Sequence, residues 1–459
     1  MQAIAAGHPA TADAGAEILA EGGSAADAAV AASLASCVAE TVMTGLLGGG
    51  HAIYFDATAG RVANLDCFIA VPGLGRERRD AQLLELQVPF GAELVHYAVG
   101  IASCGVPGVP AGLDALWRAH GRLPWARLVE PALRLAAAGV RMEPAHAACL
   151  EMLAAVMTMN EGERIYSPAG SLLQTGDLLH QPGLVSALEA LADEGAAAFY
   201  TGTIAAALLD LMEERGGLVT ERDLVEYRAE WSDPLELEFR GLSVSTRPAL
   251  GGFAVALAGL PALCGRPEPD RALALVETLG DETADRGTTN LAVLDAEGNA
   301  CVCTTSLGLG SGDFVPGFDL HLNSMLGEAD LMRGPLEPGK RMASMMAPTI
   351  ALGDSGLALA AGAAGGTRLR SALLQVVAGV LDEGVDLQAA IDRPRLHPVG
   401  PIVHLEPGFG EETIAALSAH GLEPRVWPGP HHYFGGVSAV TPSGAAGDPR
   451  RSGASRALT

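Results

Sequence analysis

The sequence predicts a mixed chain of the α/β (α+β) class: two stacked β-sheets held between two helical layers, a four-layer αββα sandwich. Three observations lead there. Residues 291–294 and 300–306 are strand-like runs on either side of Asp295-Ala-Glu-Gly-Asn299, a turn-rich connector, and read as a hairpin. Residues 320–323, 349–352 and 357–361 add strands, the last two joined across Asp354-Ser355-Gly356. Helical patterns dominate the chain before this block and return after it, which supplies the two outer layers.

The elements follow in order. Residues 12–20 read as a helix stopped by Gly22-Gly23, after which Ser24 opens a second helix with Asp27 as capping-box partner. The N-terminus itself runs straight into this helical stretch. After the run Gly48-Gly49-Gly50 come two short strands, 52–55 and 61–65. The middle is mostly helical: 124–138 ends at Gly139, 183–193 near Gly195, and 204–215 at Gly216-Gly217. Residues 277–287 carry four carboxylates and no clear period, and read as an exposed, mobile segment. Helices at 369–381 and 411–420 then cover the second group of strands.

Composition narrows the function. At 459 residues the length prior alone suggests three domains, or one large sandwich with a second lobe. With 49% apolar and 18% charged residues the chain is built to fold around a core. A net charge of −25 excludes a phosphate-binding face of clustered Lys and Arg and repels anionic membranes, so neither nucleic acid nor membrane is an expected partner. The start of the chain has no basic region of the signal-peptide kind. Seven cysteines, an odd number, read as reduced thiols, and the cytoplasm is the expected compartment. Aromatics are only 4%, so packing must rely on small side chains and close backbone approach.

Gly287-Thr288-Thr289 carries the chemistry. A threonine hydroxyl needs an adjacent base to act as a nucleophile. Cutting the chain before Thr288 would place a new α-amine, with an ordinary pKa of about 7.7–8.0, beside its own Oγ. Gly287 tolerates the distorted peptide that such a cut requires. Gly365-Gly366, between a strand and the 369–381 helix, can aim free N–H groups at an anion. Cys301 and Cys303 share one side of a strand, opposite Ser306, and read as buried, inert thiols. His431-His432 and the pair His397 and His404 form no zinc spacing, so no metal and no cofactor is expected.

The block Thr288-Thr-Asn-Leu-Ala-Val-Leu-Asp-Ala-Glu-Gly-Asn299 resembles the start of the small subunit of γ-glutamyltransferases, which are N-terminal nucleophile hydrolases. The resemblance spans nearly the whole chain. It takes in Gly22-Gly-Ser-Ala-Ala-Asp-Ala-Ala-Val-Ala31, Gly121-Arg-Leu-Pro-Trp125, Phe199-Tyr-Thr-Gly202, Met346-Ala-Pro-Thr349, Pro394-Arg-Leu-His397, Phe434-Gly-Gly-Val437 and Gly447-Asp-Pro-Arg450. It implies a precursor that cuts itself between Gly287 and Thr288, leaving a large subunit (1–287) and a small one (288–459) associated as one αββα unit. It also implies Thr288 as nucleophile, Ser306 as a hydroxyl bonded to it, and Gly365 and Gly366 as the oxyanion hole.

The same resemblance exposes departures. The family's carboxylate-binding Arg falls on Phe68, in Asp66-Cys-Phe-Ile-Ala-Val-Pro72, and a guanidinium clamp has become an apolar ring. The Asn after the second hydroxyl becomes Gly308. An amide or carboxylate position becomes Met325, while Glu328 keeps an acid for an ammonium group. Of the paired serines, Ser344 is kept and the other is Met345. The segment from Glu328 to Lys340 is too short for a lid, so an open pocket is expected. The leading expectation is a self-processing enzyme that forms an acyl-enzyme at Thr288 from a small γ-glutamyl-like amide and passes the acyl group to water or an amine. One alternative is a homologue repurposed to hydrolyse a C–C bond in a secondary-metabolite pathway of the 4-alkyl-proline type. The other is an uncleaved, non-catalytic binding or scaffold protein.

Overall fold

The computed structural model describes residues 1–76, 82–90, 93–250, 252–280, 288–332, 334–366 and 368–458. The sandwich is built from β1 (Gln2–Ala6), β2 (Gly49–Asp56), β3 (Arg61–Cys67), β4 (Glu230–Ser232), β5 (Leu235–Phe239), β6 (Leu242–Thr246), β7 (Thr289–Leu294), β8 (Ala300–Ser306), β9 (Thr349–Gly353), β10 (Gly356–Ala364), β11 (Gly436–Thr441), β12 (Gly444–Gly447) and β13 (Ala454–Leu458). One sheet runs β13-β1-β7-β8-β2-β3-β4 and the other β12-β11-β10-β9-β6-β5. Neighbours in both are antiparallel. Both sheets therefore mix strands from before and after residue 288.

Three apolar layers hold this together. Between the sheets lie Ile53, Phe55, Ala292, Leu294, Val302, Ile350, Ala360 and Val440. Because side chains alternate along a strand, Leu291 and Val293 of β7 and Cys301 and Cys303 of β8 point the other way, into the core under the first helical layer. That layer is α1 (Pro9–Ala20) and α2 (Ala25–Ala39), backed by α3 (Trp125–Ala138) and α5 (Pro182–Glu194), while α4 (Pro144–Met152) belongs to a separate apolar cluster. Every residue of α2 is buried. Its run of alanines lets it lie close against both the sheet and its neighbours, as the low aromatic content demands. The second sheet is covered by α6 (Arg368–Leu381) and the helices Glu268–Leu279 and Leu387–Asp392.

Ser24 and Asp27 form the expected capping box at the start of α2. Asp27 does more than cap. It also accepts from the backbone N–H groups of Arg122 at 2.9 Å and Leu123 at 3.3 Å, tying the approach to α3 onto the end of α2.

Several expectations need correction. The N-terminus does not run straight into a helix: residues 2–6 form β1, sandwiched between β7 and β13. A central strand buried on both faces shows no alternation, so its short apolar run had no strand period to read. Of the strand expected at 320–323, only Leu320–His321 pairs, with Phe314–Val315, and it lies outside the sandwich. A hairpin of Leu84–Phe90 and Glu93–Val99 was not anticipated. Residues 277–279 belong to the Glu268–Leu279 helix, while 281–287, including Gly287 and its cleavage assignment, lie outside the described residues.

Asp27→Ala removes one half of the capping box and leaves the buried Ser24 N–H and the partly exposed N–H groups of Arg122 and Leu123 without their carboxylate partner. It is expected to cost about 2–4 kcal/mol in denaturant unfolding; a loss within 0.5 kcal/mol would contradict this role.

Candidate active site

Thr288 stands immediately before β7, an inner strand of the first sheet paired between β1 and β8. By alternation it shares the inter-sheet side with Asn290 and Ala292. It is buried and opens onto a narrow recess lined also by Phe68, Ser306, Met325, Glu328, Leu331, Ser344, Met345, Met346, Gly366 and Leu369. Of the eleven residues singled out by the sequence, Gly287 lies outside the described residues and eight of the other ten line this one pocket; Gly365 directly precedes Gly366, and Gly308 lies against Glu328.

Each wall has a local cause. Ser306 ends β8, and its Oγ accepts from the Gly308 N–H at 2.9 Å, folding the chain back at the pocket edge. Gly308 has φ +71°, and a methyl there would sit 2.2 Å from Glu328 Oε1. The absence of a side chain at this position therefore leaves the space that Glu328 occupies. Phe68 follows β3 and is fully buried, its ring stacked on His51 at 5.4 Å. Its carbonyl accepts from Tyr227 Oη at 2.7 Å and its N–H donates to Asp66 at 2.8 Å, so the ring is fixed in place. Burial, reinforced by Arg247 and Arg341, holds His51 well below the usual histidine range, hence neutral. The Ser344–Met346 wall is held from outside by Arg247, whose Nη1 donates to Met346 O at 3.0 Å.

Gly365 and Gly366 join β10 to α6 with φ values of +128° and +63°. L side chains rarely adopt either, and a methyl on Gly365 would also lie 2.8 Å from Gly435 Cα. Such a turn before a helix N-terminus presents main-chain N–H groups to a negative charge.

Leu331, Met346 and Leu369 also line the pocket and were not singled out. Leu331, at the end of the short turn Ala329–Leu331 that follows Glu328, adds an apolar side chain to the pocket wall. Glu40 and Arg451, behind Thr288, were likewise missed, since nothing local marks a residue at the end of an alanine-rich helix or one following Asp-Pro-Arg.

No group of three or more His, Cys, Asp or Glu among the described residues is arranged to hold a metal ion. His397 and His404 face each other across an antiparallel pair, their Nδ1 atoms engaged by Ser371 and Trp427. Cys301 and Cys303 are buried on the helix side, their sulfurs 3.7 Å apart; that contact and burial raise the Cys301 pKa, and an uncharged thiol is a poor nucleophile.

A family model described as gamma-glutamyltranspeptidase matches residues 11–274 and 266–458. The chain is 29% identical over 514 aligned residues to the acylase ACY 1 proenzyme of Pseudomonas sp. (strain V22), covering 94% of this chain and 88% of that one. It is 27% identical to the glutathione hydrolase proenzyme of Escherichia coli (strain K12), covering 89% and 83%. Among solved structures, cephalosporin acylase from Bacillus halodurans shares the fold at a TM-score of 0.85, covering 100% and 96% of the two chains at 23% identity.

The geometry of the glycine turn makes a stability prediction. Gly365→Ala should lower stability by about 2–3 kcal/mol, from positive φ and the Gly435 contact together. An unchanged denaturation midpoint would mean the turn is not constrained as described.

Proposed function

The chain belongs to the γ-glutamyltranspeptidase family, whose members are hydrolases and acyltransferases, and on that premise we propose that it is cut between Gly287 and Thr288 and then uses Thr288 to carry the acyl group of a small amide. The freed α-amine takes the Thr288 Oγ proton as Oγ attacks the amide carbon. Gly365 and Gly366 supply N–H groups to the oxygen that becomes negative. Collapse of this intermediate breaks the C–N bond and returns the proton to the leaving amine, leaving an ester on Thr288. Water or a second amine then attacks the ester, its proton passing to the α-amine, and the Thr288 hydroxyl is restored. Ser306 is placed to orient the Thr288 hydroxyl.

The pocket wall carries the substrate assignment. Phe68, Met325, Leu331, Met345, Met346 and Leu369 make it apolar, and no basic side chain lines it among the described residues. An α-carboxylate buried there would lose its water and gain no cation, a cost of several kcal/mol. We therefore assign the acyl side to a largely apolar chain without an α-carboxylate, with Glu328 and Ser344 left to meet a donor such as an amine or amide N–H. The 29% identity to an acylase proenzyme supports this reading of the bond.

On incubation, the purified chain should split into fragments of residues 1–287 and 288–459 by intact mass, and Thr288→Ala should stay whole. A wild-type chain that never splits would remove Thr288 from its role. Hexanoyl p-nitroanilide should exceed γ-glutamyl p-nitroanilide in kcat/KM by on the order of a hundredfold. Phe68→Arg should narrow that gap; equal rates in the wild type would refute the apolar acyl assignment.

A further inference from the structure

A second small cavity lies behind Thr288, and Glu40, His146, Thr289, Asp448 and Arg451 line it with Thr288 itself. Arg451 is buried there. Its Nη1 donates to the Thr288 carbonyl at 3.3 Å and to Met43 Sδ at 3.4 Å, and its Nη2 to the His432 carbonyl at 3.4 Å. A methyl on Gly365 would lie 3.2 Å from Nη2, and one on Gly436 would lie 2.4 Å from Cγ. The guanidinium is thus slotted between the residue that attacks and the turn that receives the negative charge. Glu40, directly after α2, accepts from Thr11 Oγ1 at 2.7 Å and from Thr289 Oγ1. It thereby grips the residue next to Thr288 from the opposite wall.

We propose that Arg451 and Glu40 are positioning residues of the reaction: Arg451 fixes the Thr288 carbonyl against the Gly365 turn, and the negative charge of Glu40 across the cavity keeps Arg451 there. This rests on the assignment of Thr288 as nucleophile. A guanidinium keeps its proton even when desolvated, and in this cavity Asp448 supplies a standing negative charge to which an ionised Glu40 adds a second on the Thr289 side.

The ionisation of Glu40 can be separated from its neighbours. Burial pushes its pKa up to about 7, against the hydroxyls of Thr289 and Thr11 and the charge of Arg451. Around it, burial brings His8 down to about 4 and His146 well below the usual range. Burial also raises Cys37 to about 12 and Cys149 to about 11. Burial would raise Asp448, but Arg395 and Arg450 outweigh it and hold its pKa low. Beyond Arg451, burial lowers His431 and His432. Glu40 is then the group in this set whose charge changes near neutrality. Its folded pKa lies above the ordinary 4.5, so the carboxylate opposes folding, and stability falls as pH rises through about 7.

Self-cleavage of the uncut precursor tests the proposal, because Thr288 N is then a peptide nitrogen and no α-amine titrates. The wild-type cleavage rate should rise across a limb centred near pH 7. Glu40→Gln should cleave at the low-pH rate throughout, on the order of tenfold slower at pH 8, while melting no lower than wild type there. Arg451→Met should be slow and flat with pH, and Arg451→Lys intermediate. A Glu40→Gln precursor that keeps the wild-type limb and rate, or that slows only in step with a lower melting temperature, would overturn the proposal. A wild-type precursor that never cleaves would overturn the nucleophile assignment first and this inference with it.

Discussion

The constraint on which the molecule turns is the pairing of β7 on both sides. β1 and β8 hold it in antiparallel register from Thr289↔Thr305 to Leu294↔Ala300. With both edges used, β7 has no freedom to slide, and alternation decides the surroundings of each residue. Thr288 is directed to the gap between the sheets, and Thr289 to the helical layer and Glu40. A slip of one residue would exchange these roles and move Thr288 away from Ser306, Phe68 and Gly366.

The C-terminal turn behind Thr288 is held by a buried ion network. Arg395 pairs with Asp448 at 2.5 Å, and Arg450 with Glu406 at 2.5 Å and Asp448 at 3.2 Å. Asp448 also accepts from the Val437 N–H at 2.9 Å, at the start of β11. Buried pairs of this kind add little net stability, because desolvation offsets attraction, but breaking one leaves an uncompensated charge. Their effect here is geometric: they set the direction of the chain at Arg450 and so deliver Arg451 to the cavity behind Thr288.

The two sides of Thr288 are chemically opposite. The substrate side is mainly methionine, leucine and phenylalanine, with Glu328, Ser306 and Ser344 as its polar members. The rear carries two carboxyls, an imidazole and a guanidinium. An apolar pocket excludes water and strengthens electrostatic interactions inside it, and on the proposed reading the rear charges would hold the backbone without competing for substrate.

Local rules made much of this legible from residues alone. The capping box at Ser24 and Asp27, the hairpin across 295–299 and the helix after Gly365-Gly366 depend on neighbours within a few positions, and each stands in the structure where those rules place it. The ordered motifs also named most of the pocket, because the resemblance assigns residues one by one without knowing how they meet. Tertiary structure decided the rest. β1 is a central strand because β7 and β13, from the far end of the chain, pair with it. Leu331 reaches the pocket wall through the turn Ala329–Leu331, which no local pattern marked. Glu40 and Arg451 face one cavity although 411 positions separate them. Contacts of that range have no period, spacing or turn residue to announce them; they exist only when the two sheets and their helices are packed together.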